Sequence, residues 1–115
     1  MEITTYQLRI NVIEKYYTLV SSILNLYPQS YKFGWSYEII LEEQKDYFDV
    51  IVKFLNSLEE NYLRLIELGI EKNDITIWLI YGYKNQCNME FEPSTLKRLG
   101  ENGIKLCISC YESGI

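Results

Sequence analysis

At 115 residues the chain has the length of one domain, enough to bury about two-thirds of its unfolded surface without staples. Its 48% hydrophobic and 23% charged content excludes a disordered chain, and no apolar run approaches the roughly 20 residues that span a bilayer. A net charge of -5 argues against nucleic acid and anionic lipid as partners, and the absence of histidine removes the usual neutral-pH acid, base and metal ligand.

The opening residues are acidic and run into a polar/apolar alternation, which does not read as a signal peptide. Three cysteines give no disulfide framework, so the expectation is a reduced, cytoplasmic protein. Over residues 4–12, Tyr6, Leu8, Ile10 and Val12 share one face and Gln7, Arg9 and Asn11 the other, the pattern of a half-buried strand. From 14 to 27 the period becomes helical, with Tyr16, Leu19, Val20, Ile23, Leu24 and Tyr27 on one stripe and Pro28 as the stop. After a loop over 28–34, Trp35, Tyr37, Ile39 and Leu41 alternate as a second strand, with Ile40 the apolar exception.

All the net charge lies in residues 38–60. Seven acids (Glu38, Glu42, Glu43, Asp46, Asp49, Glu59, Glu60) stand there against Lys45 and Lys53, while the other 92 residues carry nine acids and nine bases. This stretch predicts two helices. Asp46 is the expected N-cap of the first, with Asp49 at its third position and Tyr47, Ile51, Phe54, Leu55 and Leu58 as its buried stripe. Ser57-Leu58-Glu59-Glu60 reads as a capping box that starts the second helix or marks a bend. The second helix buries Tyr62, Leu65 and Ile66 and stops at Gly69.

Residues 75–83 are the most apolar run. Ile75, Ile77, Leu79 and Tyr81 face one way and Trp78 and Ile80 the other, as expected near the middle of a sheet. A short strand is expected around Cys87, Met89 and Phe91. Pro93 then opens a short helix that Gly100 ends, and residues 104–111 form the last strand. The sum is a two-layer α+β sandwich in one domain. Helices cover one face of a mixed or antiparallel sheet of about five strands, related to the ferredoxin-like βαββαβ arrangement.

The apolar strand 75–83, then Asn88-Met89-Glu90-Phe91-Glu92-Pro93, Leu96-Lys97-Arg98-Leu99-Gly100 and the run from Gly103 to Tyr111, resembles the bacterial domain-of-unknown-function family numbered 4279. The resemblance spans residues 35–112 by pattern and is made of structural residues. It implies the fold and carries over no catalytic residue. Small acidic bacterial proteins of this general kind include immunity proteins, which neutralise a cognate toxin.

Cys107 and Cys110 spell C-x-x-C, but on a strand that spacing puts them on opposite faces, away from the helix N-terminus a redox pair needs. Zinc would need two further ligands, and only Cys87 remains. Glu42, Asp46 and Asp49 recur at helical offsets that would suit a divalent cation, yet helix capping accounts for such acids locally. Neither metal nor cofactor is expected. No serine sits in a nucleophile elbow and no glycine-rich phosphate loop exists.

The chain therefore reads as a binding domain without catalytic machinery. The expectation is an immunity-type protein that occludes a basic partner such as a toxin domain through Glu38, Glu42, Glu43, Asp46 and Asp49 with Tyr37 and Tyr47. The alternative is a small-molecule or regulatory module, which a pocket lined by Trp35, Trp78 or Tyr81 would favour. An open sheet edge would allow a homodimer.

Overall fold

The structure, a computed structural model, describes residues 3–42 and 49–113. Strand β1 (Ile3–Ile10) is followed by a 3-10 turn (Glu14–Tyr16), helix α1 (Tyr17–Leu24) and strand β2 (Trp35–Glu42). Helices α2 (Val50–Glu59) and α3 (Tyr62–Glu67) lead through a second 3-10 turn (Lys72–Asp74) to β3 (Ile75–Tyr83), α4 (Pro93–Asn102) and β4 (Lys105–Glu112).

The four strands form one mixed sheet in the order β2-β1-β3-β4. β1 pairs antiparallel with both β2 and β3, and β3 pairs parallel with β4. The apolar positions of the strands stack in rows across the sheet: Trp35-Ile10-Ile75, then Tyr37-Leu8-Ile77-Leu106, then Ile39-Tyr6-Leu79. Against these rows pack Val20 and Leu24 of α1, Ile51, Phe54, Leu55 and Leu58 of α2, Leu65 of α3 and Leu99 of α4. Helices on one face of an α+β sandwich are thus what the alternation dictated.

Among the described residues the strand count is four rather than five. Residues 87–91 alternate, with Met89 and Phe91 half-buried and Asn88 and Glu90 exposed, but among the described residues they pair with no strand and run as a loop. The ferredoxin-like comparison also loosens. A helix pair connects β2 to β3, where the βαββαβ arrangement joins two strands directly.

Helix boundaries moved for local reasons. α1 stops at Asn25, which takes the left-handed conformation (φ 54°), so Tyr27 lies beyond it; Leu19, expected on the buried stripe, is exposed. α2 starts at Asp49, whose Oδ1 accepts the Val52 N–H at 3.1 Å; the cap is therefore Asp49, and Asp46 lies outside the described residues. The expected capping box does not form. Ser57 stays inside α2 and its hydroxyl donates to the Leu24 carbonyl at 3.0 Å, while the bend falls at residues 60–61. Ile66, expected inside, is exposed. α4 runs past Gly100 to Asn102, and Gly103 (φ 65°) turns the chain so that Ile104 folds back beneath Leu99.

Two polar clusters sit in this apolar layer. Ser21 of α1 is buried; its Oγ accepts the Trp35 indole N–H at 3.0 Å and meets the Tyr31 hydroxyl at 2.9 Å. Asn102 joins three helices. Its Oδ1 accepts from Tyr62 at 2.6 Å, its Nδ2 donates to Glu59 at 2.8 Å, and Arg98 donates to Glu59 and Asn56 at 2.8 and 2.9 Å.

The Asn102 hydrogen bond, followed by Arg98, holds the Glu59 carboxyl below its ordinary range. Burial, then the Glu59 charge, pushes the Tyr62 phenol from 10.0 up to about 12. A phenol whose folded pKa lies above its unfolded value adds stability that is complete below pH 10 and is lost as pH climbs towards 12. Thermal midpoints of the wild type and Tyr62→Phe should therefore converge across that alkaline window. A constant difference would contradict the cluster.

Candidate functional site

The uncovered face of the sheet carries a polar ladder. Gln7 donates to Glu38 at 2.9 Å, Arg9 Nε donates to the Gln7 side-chain oxygen at 2.8 Å, and the Arg9 guanidinium lies 4.3 Å over the Trp78 ring. Glu38 is thus engaged with its neighbour on β1. Beyond the ladder, Tyr111 lies across Gly82, its parallel partner, where a Cβ would come within 2.7 Å of the phenol oxygen.

Of the expected partner-binding residues, Tyr37 points into the helix layer and meets Phe54 edge-on at a centroid distance of 6.3 Å. Glu42 ends β2, with only its backbone described, and Glu43, Asp46 and Tyr47 lie outside the described residues. Asp49 caps α2 on the helix side. Among the described members, Tyr37, Glu38 and Asp49 therefore occupy three different places: the interior, the open sheet face and a helix N-terminus.

A cleft of about 260 Å³ opens where Asp49 stands. Its floor is Thr4, Tyr6, Leu79 and Tyr81, from the neighbouring ends of β1 and β3. Asp49 and Ile51 of the α2 start form one wall, Glu92 and Thr95 of the α4 start another, and Asn88–Phe91 of the 84–92 loop a third. The placement follows from the parallel β3-α4-β4 unit. A chain leaving the carboxyl end of a parallel strand must turn before its crossover helix, and that turn shapes a crevice.

Asp49, Glu90 and Glu92 bring three carboxylates to this cleft, beside the rings of Tyr6, Tyr81 and Phe91. The lining includes no lysine or arginine among the described residues. Asp49 is occupied as a cap and takes a 3.4 Å contact from the Thr95 hydroxyl. Glu92 is the N-cap residue of α4, but its side chain makes no capping bond. The α2 and α4 N-termini favour negative charge at this end of the helix layer. Glu90 and Phe91 were missed because 87–91 read as a strand, and Tyr6 and Glu92 because they read as a buried strand position and a helix start; treating 75–111 as a parallel strand-helix-strand unit would have pointed to its first loop.

Cys107 lies opposite Trp78 on the open face, and Cys110 pairs with Tyr81 on the other, so the C-x-x-C residues do not meet. Among the described residues no three histidine, cysteine or acidic side chains are grouped to hold a metal ion, and no helix is long and apolar enough to cross a membrane. Compared with family models, curated proteins and solved structures, the chain matches none.

Proposed function

We propose that this chain acts by binding rather than by covalent chemistry, and that it holds a basic protein partner against the cleft beside Asp49, occluding it as an immunity protein occludes a toxin. The observation that carries this reading is the make-up of the cleft, three carboxylates beside three aromatic rings with no described cation in the lining. A guanidinium suits that combination, because its edge bonds carboxylate oxygens while its face stacks on a ring. The protein makes both contacts itself, Arg98 with Glu59 and Arg9 over Trp78. The net charge of -5 would draw a cationic surface, such as the groove of a nucleic-acid-directed toxin, and speed its association. Kinship with family 4279 and a cytoplasmic location belong to the same proposal. Pairing of a second copy along the outer edge of β4 is compatible with it.

A second reading, a small-molecule or regulatory module, is favoured by one observation: Tyr81 lines a cleft only slightly below the roughly 300 Å³ at which ligand pockets begin. Calorimetric titration with tetra-arginine amide and with agmatine tests both. The proposal predicts binding of the peptide at low ionic strength that weakens about tenfold towards 1 M salt, where charges are screened within ~3 Å. Agmatine binding as tightly as the peptide would favour the second reading. No binding of either would contradict both.

A further inference from the structure

Cys87 and Cys110 stand outside everything the cleft explains. Cys87 lies in the 84–92 loop and Cys110 on β4; both are exposed, and the Cys87 thiol donates to the Cys110 sulfur across 2.8 Å. The hydrogen bond to Cys110 raises the Cys87 pKa above its ordinary value. Cys107, the remaining cysteine, is on the opposite face of β4 and reaches neither.

We propose that Cys87 and Cys110 form a dithiol/disulfide couple that closes on meeting a small-molecule disulfide and fastens the 84–92 loop to β4. The reaction is thiol–disulfide exchange. One cysteine loses its proton and its thiolate attacks the reagent, forming a mixed disulfide and expelling one reagent thiolate. The second cysteine, deprotonated in turn, attacks the protein sulfur of that mixed disulfide and expels the other. Two protein thiols are oxidised by two electrons, and one reagent disulfide is reduced to two thiols.

Three features favour closure. Both sulfurs are open to the reagent, and they are already in contact. The loop bearing Cys87 has no strand partner among the described residues, so it can adjust to the torsion a disulfide requires while β4 stays in its ladder. Because that loop forms a wall of the cleft, closing the couple fixes the wall in place. Disulfide formation does not depend on what the cleft binds.

The test treats the full chain with oxidised glutathione, followed by intact mass and peptide mapping. The expected product is a chain lighter by two hydrogens with residues 87 and 110 cross-linked, formed equally well in Cys107→Ser. Cys87→Ser and Cys110→Ser should instead stop at the mixed disulfide with glutathione. The closed form should melt on the order of 10 °C above the reduced form, since the bond closes a 23-residue separation, and dithiothreitol should reverse the shift. Glutathione retained on Cys87 and Cys110 without a cross-link, a cross-link through Cys107, or linkage only between chains would overturn the inference.

Discussion

Replacing Trp35 with alanine should cost about 3–5 kcal/mol, the range for emptying a buried tryptophan site. Trp35 is 2% exposed, lies beside Ile10 in the antiparallel register and fills the end of the core beneath α1. Its indole N–H is also the donor that the buried Ser21 oxygen accepts. A domain of this size has about 5–15 kcal/mol in total, so the variant should sit near its unfolding threshold at room temperature. Trp35→Phe separates the two contributions. It keeps most of the ring, gives up the hydrogen bond, and should cost about 1–2 kcal/mol, Ser21 still having the Tyr31 hydroxyl. Urea unfolding followed by circular dichroism reads both losses. Equal costs for the two variants would mean that packing contributes little there and the account of the core is wrong.

The second large effect belongs to the cleft. The double reversal Glu90→Lys/Glu92→Lys should weaken binding of tetra-arginine amide at least about tenfold. Each exposed attraction of this kind contributes up to about 1 kcal/mol, and reversal replaces two attractions with two repulsions. The fold should tolerate it, because neither side chain is buried and Glu92 makes no capping bond. The loss of favourable charge at the α4 N-terminus should be about 0.3–1 kcal/mol. Glu38→Lys is the control. It breaks the bond from Gln7 on the open sheet face, adds the same kind of charge change, and should leave peptide affinity within about twofold. Equal losses from both variants would show that net charge, not the cleft, governs binding.

The sequence made the sheet legible where side chains have two unlike surroundings. Leu8 and Ile10 against Gln7 and Arg9, or Ile75 and Ile77 against Thr76, alternate because one face is covered and the other is not, and β3 begins and ends as the pattern required. Residues 87–91 carry the same alternation for a different reason: Met89 and Phe91 turn inward from a loop, and alternation alone does not say whether a neighbouring strand exists. Helix ends were decided by competition between near-equal signals. Gly100 and Gly103 both suit a C-terminus, and the one followed by an apolar residue able to fold back on Leu99 prevailed. Asn25 ended α1 before Pro28 could, through a left-handed turn that asparagine tolerates.

The acidic stretch was legible as charge and not as a surface. Strand alternation sends Tyr37 and Glu38 to opposite sides of the sheet, and capping takes Asp49 to the start of α2. The cleft escaped notice because its acids come from two distant segments, Asp49 at the start of α2 and Glu90 with Glu92 before α4, which line one cleft only in the folded chain. Closeness in sequence concentrated the net charge, whereas closeness in space made the candidate site.

The most direct test is solution NMR of the isotopically labelled chain titrated with tetra-arginine amide at low salt. Amide shift changes should concentrate at residues 4–6, 49–51, 79–81 and 88–95, around the cleft. Changes centred instead on Gln7, Arg9, Glu38 and Trp78 would contradict binding there, as would changes spread evenly over the acidic residues.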